Sequence, residues 1–243
     1  MIAGVLIASV GPGWAIAIDA ATFAVSALFL VRLRLPAAVP RIATSFLADL
    51  REGWGVFTSL TWVWTFVACA AFGNLVWGAW SVLGPVVADE SLGGAAAWGT
   101  VLGAMGVGAL IGSLIAVRAR PHRPLVLAGV GYGLFVFPLA FLAAGAPLAV
   151  LAFGALMGGV AMMLGNSVWE ATLQSRVPVE SLSRVSAYDW FGSLAFNPVG
   201  MAIWGPIAVA IGTSEALWLA ASLVFASTMA LLCVPAIRQL QAE

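Results

Sequence analysis

The sequence predicts an all-α integral membrane protein, and three observations carry that expectation. The 243 residues are 63% hydrophobic and only 8% charged, against about 25% charged in soluble domains. Apolar runs recur along the whole chain at about 20 residues, the length a helix needs to cross a hydrocarbon core of about 30 Å. The arginines between those runs all fall on one side. A chain this apolar must turn apolar surface toward something other than water, and lipid accepts it.

The full-length candidate spans are residues 14–33, 63–87, 96–117, 124–145, 147–169, 190–211 and 214–236. Met1 to Val10 form a further apolar piece, too short to cross because its length at about 1.5 Å per residue covers about half a bilayer. Seven full spans and a partial one are expected. Arg32, Arg34, Arg41 and Arg51 follow the first full span, Arg118, Arg120 and Arg123 the third, Arg176 and Arg184 the fifth, and Arg238 the seventh. The opposite connections carry Asp89, Glu90 and Glu215 and no arginine. This is the positive-inside pattern, and it assigns the C-terminus to the cytoplasm.

Several function classes are excluded. Ten arginines, no lysine and ten acids leave no net charge, so no basic surface seeks nucleic acid. Cys69 and Cys233 lie in apolar runs and His122 is the single histidine. Neither a disulfide framework nor a zinc, haem or iron–sulfur cofactor is expected. No basic leader opens the chain, so no cleavable signal peptide is expected. No phosphate loop of the form G-x-x-x-x-G-K-[ST] is present, which argues against an ATP-driven pump. The H-E-x-x-H and G-x-S-x-G patterns of hydrolases are also missing, so no enzyme is expected.

Residues 35–60 form the longest connection. After Pro36 and Pro40, the residues Phe46, Leu47, Leu50 and Trp54 recur at helical spacing, with Asp49, Arg51 and Glu52 between them. That pattern fits an amphipathic helix on the membrane surface, or a plain linker. Most tryptophans cluster near the ends of spans, as an aromatic belt requires, whereas Trp77, Trp80 and Trp204 lie deeper. The pairs Gly99 and Gly103, Gly108 and Gly112, Gly129 and Gly133, and Gly154 and Gly158 predict close helix contacts. Pro85, Pro138, Pro198 and Pro206 are expected to interrupt or end spans.

Polar groups inside spans are costly and therefore informative. Asp19 lies within the first full span, where it either pins a neighbouring helix or reaches a water-filled cavity. Asn74 lies near the middle of its span, one turn from Trp77. Asn166 and Glu170 are four apart and share a helix face. The two asparagines either bond across helices or wall a substrate cavity with Trp77, Trp80 and Trp169. A second group, Glu170, Arg176, Arg184 and Asp189, brackets one cytoplasmic loop, and Arg118, Arg120 and Arg123 crowd another. Pairs such as Glu170 or Asp189 with Arg118 can hold an inward gate closed; the alternative is a topology signal with headgroup contacts.

Three stretches carry a family resemblance. They are Gly11-Pro-Gly-Trp-Ala-Ile-Ala-Ile-Asp19 continuing to Arg34, Asp49-Leu-Arg-Glu-Gly-Trp54, and Arg176-Val-Pro-Val-Glu-Ser-Leu-Ser-Arg-Val-Ser-Ala-Tyr-Asp189-Trp. Together they resemble the C-terminal part of a major facilitator superfamily transporter. The branch they resemble is that of bacterial drug and siderophore effluxers related to enterobactin exporters. The resemblance implies a multi-pass plasma-membrane protein whose inverted repeats enclose a midplane cavity. It implies that residues 1–34 end an N-terminal half (partial helix five and helix six). Residues 35–60 would be a cytoplasmic central segment, and 61–243 a six-helix C-terminal domain. The expected function is proton-coupled efflux of a small amphipathic compound. The expected partners are lipid, proton, that substrate and an N-terminal half supplied in cis or in trans. Asn74, Trp77, Asn166 and Glu170 then line the path. The stretch from Gly112 to Arg123 departs from the family's cytoplasmic signature: it keeps basic residues but lacks the acid and the second glycine. On this template four and a half helices are missing ahead of Met1, so a non-transporting fragment or half-transporter is the alternative expectation.

Overall fold

The computed structural model describes residues 12–33 and 46–241. The partial span at Met1 to Val10, and Arg34, Pro36, Pro40 and Arg41, lie outside the described residues. Two units separate at Ser45 and Phe46. The first contains α1 (Pro12–Arg32), a helix of 21 residues and so about 31 Å long. Asp19 is exposed on it, and its backbone carbonyl accepts from Thr22 Oγ1 at 2.7 Å.

The second unit is all helix among the described residues. α2 (Phe46–Ser59) leads into α3 (Thr61–Val87), which widens into a π turn at Ala88–Leu92. Pro85 removes a backbone donor just ahead of that turn. Gly93 and Gly94, at φ +98° and +81°, reverse the chain in conformations that exclude most side chains. Then follow α4 (Ala95–Arg118), α5 (Pro124–Gly133), α6 (Val136–Ala143), α7 (Leu148–Arg176), α8 (Val179–Leu194), α9 (Asn197–Ile211), α10 (Thr213–Cys233) and the short α11 (Pro235–Gln239). Six candidate spans result: α3 with its π turn, α4, α5 with α6, α7, α8 with α9, and α10.

Two spans are broken for one reason. A proline ring collides with the carbonyl four residues before it. Pro138 therefore ends α5 near Leu134, and Pro198 ends α8 at Leu194. Pro206 sits inside α9 without a break. The stretch between Arg176 and Asp189, expected as a loop, is helical except for Val177 and Pro178. Its polarity reflects length rather than irregular backbone. The combined span Val179–Ile211 has 33 residues, about 50 Å if straight, and its polar first turns extend past the hydrocarbon.

Packing follows the small residues. A methyl at Gly108 or Gly112 of α4 would meet the carbonyls of Leu156 or Val160 on α7, and one at Gly159 would meet the carbonyl of Met105. Gly78 of α3 and Gly200 of α9 bring two further backbones together, and Trp204 Nε1 donates to Leu75 O across that seam at 2.8 Å. Gly99, expected to pair with Gly103, has open space around it. Two buried clusters divide the core. Trp80, Leu83, Leu151, Trp204 and Leu217 belong to one, and Phe57, Phe66, Leu125, Trp169 and Ile237 to the other, at the arginine-bearing end.

α2 docks on α8 at that second end. Gly53 lies against Arg184 and Tyr188, and Phe57 is buried. Tyr188 Oη donates to Leu50 O at 2.9 Å, and Arg184 pairs with Glu52. Leu50 and Trp54 of the stripe that the sequence marks are exposed, and the helix buries Gly53 and Phe57.

Candidate functional site

Between α3, the α5–α6 joint, α7, α8 and α10 lies a cavity of about 280 Å³. Each wall is a helical stripe. Phe66, Ala70, Asn74 and Trp77 come from α3, and Met162, Asn166, Trp169 and Glu170 from α7, at the three- and four-residue spacing that keeps side chains on one face. Asp189, Trp190, Ser193 and Leu194 come from α8, and Ser227, Thr228 and Leu231 from α10. Tyr132 and Phe135 enter where the chain breaks ahead of Pro138. Asn74, Trp77, Asn166 and Glu170 thus share one cavity with Asp189. Trp80 does not line it; it is buried in the other cluster.

Aromatic rings shape the walls. Phe66 stacks on Trp169 at 4.0 Å and 6°. It also meets Tyr132 edge-on, and Trp77 tilts against Phe135 at 4.9 Å. The polar groups are partly spoken for. Tyr132 Oη donates to Asn166 Oδ1 at 2.8 Å, joining α5 to α7, while Asn74 Nδ2 donates within its own helix to Ala70 O. Asp189 is only 6% exposed. A carboxylate taken out of water must find donors; here they are Trp169 Nε1 at 3.1 Å and Ser193 Oγ at 3.4 Å.

The expected gate residues do not assemble as pairs with Arg118. Arg118, the last residue of α4, and Arg120, just past it, are exposed, and among the described residues no ion pair joins either to Glu170 or Asp189. Arg184 turns to Glu52 on α2. The reason is helical phase. Five residues on a helix are about 140° apart, so Arg184 faces α2 while Asp189 faces the cavity.

Tyr132, Ser193 and Cys69 are wall residues that sequence reasoning missed. Tyr132 carried a usable signal. A phenol in an apolar span requires a partner for its hydroxyl, and Asn166 is the polar group one span away.

The cavity offers hydrogen-bonding groups, two carboxylates and aromatic faces inside a bundle whose outer face is apolar, with Leu110, Leu114, Val209 and Phe225 all more than half exposed. This is the construction of a polytopic membrane transporter that holds a small molecule between its helices. The family model described as transmembrane secretion effector matches residues 1–243, and the chain belongs to that family of the major facilitator superfamily. No curated protein and no solved structure matches the chain.

Proposed function

We propose that the chain exports a small amphipathic compound, drug- or siderophore-like, from a bacterial cell by alternating access in exchange for protons, with its C-terminus in the cytoplasm. The cavity carries this reading, because it collects the costly intramembrane polar groups Asn74, Asn166 and Glu170 with aromatic surface around them. The one-sided arginines support the orientation. The stretches similar to siderophore exporters support efflux over uptake. Proton exchange rests on the superfamily and on the missing phosphate loop. Trp190, Phe191 and Leu194 are exposed on the α8 face beside the cavity. That face suits a second wall from an N-terminal half, in the same chain or a separate one.

Asn74→Ala, Asn166→Ala and Glu170→Ala are each expected to slow dye efflux from cells by about tenfold, the loss of one hydrogen bond to the transported species. Membrane levels should stay normal by immunoblot. Efflux unchanged in all three variants removes the cavity from the transport path.

A further inference from the structure

The charge of the cavity wall is one-sided. Glu170 and Asp189 line it, and among the described residues none of its lining side chains is cationic. On α8, the helix of Asp189, Arg184 pairs with Glu52 of α2. The remaining surface is built from the faces and edges of Phe66, Trp77, Tyr132, Phe135, Trp169 and Trp190. Aromatic faces carry negative potential and attract cations most strongly where water is scarce. Carboxylates at a low-dielectric site attract cations and repel anions more strongly than in bulk water. The two effects have the same sign.

We infer that the cavity selects organic cations, an ammonium or similar centre attached to an apolar or aromatic body, and rejects anions of the same size. The assignment rests on the transport reading only for its physiological meaning; as a binding property it stands on the wall itself. Glu170 offers one carboxyl at a half-buried position, and Asp189, held by Trp169 and Ser193, offers a second on the same wall. A neutral amphipath still fits the aromatic surface but forgoes both carboxylates. An anion of similar shape meets two carboxyl groups and, among the described lining residues, no cationic side chain.

Cys69 makes this measurable, because it lines the same cavity and Cys233 is the other cysteine. In purified Cys233→Ser protein, alkylation of Cys69 by the neutral reagent N-ethylmaleimide is followed while benzyltrimethylammonium or benzenesulfonate is added. The ammonium is expected to protect Cys69 at a concentration at least about tenfold below that of the sulfonate. Glu170→Gln should bring the two within about threefold, and adding Asp189→Asn should remove the difference. Equal protection by both ions, or better protection by the sulfonate, overturns the assignment. Should Cys69 resist alkylation, equilibrium dialysis of labelled benzyltrimethylammonium against wild type and Glu170→Gln decides the point; absent binding, or binding unchanged by the substitution, overturns it. Efflux measured separately keeps the two readings apart. A chain that exports dye but protects without regard to charge loses only the cation assignment. A chain with charge-dependent protection and no efflux keeps its cation site and loses the transport reading.

Discussion

Two faces of α7 do opposite things. On one, Leu156, Gly159 and Val160 meet Met105, Gly108 and Gly112 of α4 so closely that carbonyls fill the places of missing side chains. On the other, Met162, Asn166, Trp169 and Glu170 look into a cavity of about 280 Å³. In lipid, apolar side chains give helices no reason to associate, so close approach depends on small residues and van der Waals contact. The α4 seam is made by removing side chains. The cavity is made by adding large ones, since the Phe66–Trp169 stack and the Trp77–Phe135 pair fill the space between helices unevenly. One helix can therefore serve as a fixed spine on one side and a binding wall on the other.

The contrast is most easily broken at the seam. Gly108→Leu forces a branched side chain into the Leu156 carbonyl, which belongs to backbone and cannot turn aside. A destabilisation of about 3 kcal/mol or more is expected, read as a lower thermal midpoint in detergent and reduced membrane levels. A midpoint like that of wild type would mean the seam is not closed. On the cavity side, Trp169→Phe keeps an aromatic ring against Phe66 but removes the donor that holds Asp189 Oδ2. Leaving that carboxylate with Ser193 should cost about 1–3 kcal/mol. Asp189→Asn in the same background should recover part of the loss, because the neutral amide is less costly to bury; no recovery would show that the bond is not what the indole supplies. Gly99→Ala completes the series. Nothing lies within 4 Å of the added methyl, and alanine favours helix over glycine by up to about 1 kcal/mol. The midpoint should hold or rise slightly, and a fall comparable to that of Gly108→Leu would mean that glycine spacing alone, not observed contact, governs this helix.

Much of this was legible from the residues. Spans appear because lipid imposes one length, and the arginines count them independently. Asn74, Asn166 and Glu170 stand out because polar groups are rare in such segments, and the structure brings all three to one cavity. Asp189 was less legible. Its neighbours are polar and follow Pro178, so it reads as loop, and only the helical phase of α8 turns it inward. Phe66 was hidden for the opposite reason, since a phenyl ring in an apolar run looks the same whether it faces lipid, core or cavity. Glycine spacing had the same ambiguity. Gly108 and Gly99 carry equal pattern and unequal contact, because a spacing rule does not say which side of a helix has a neighbour.

The proline breaks have a mechanical consequence. They divide two of the spans at the depth of the cavity, with Phe135 and Leu194 of its wall at the joints. Each of these spans is a pair of short rods articulated where the regular backbone ladder is already interrupted. Flexing there sacrifices fewer hydrogen bonds than bending an intact helix. The α9 rod is riveted to α3 through Trp204 and Leu75, whereas the α8 rod carries Asp189, Trp190 and Ser193 along with the docked α2. The bundle thus contains a stiff frame and a jointed panel, and the panel bears the carboxylate.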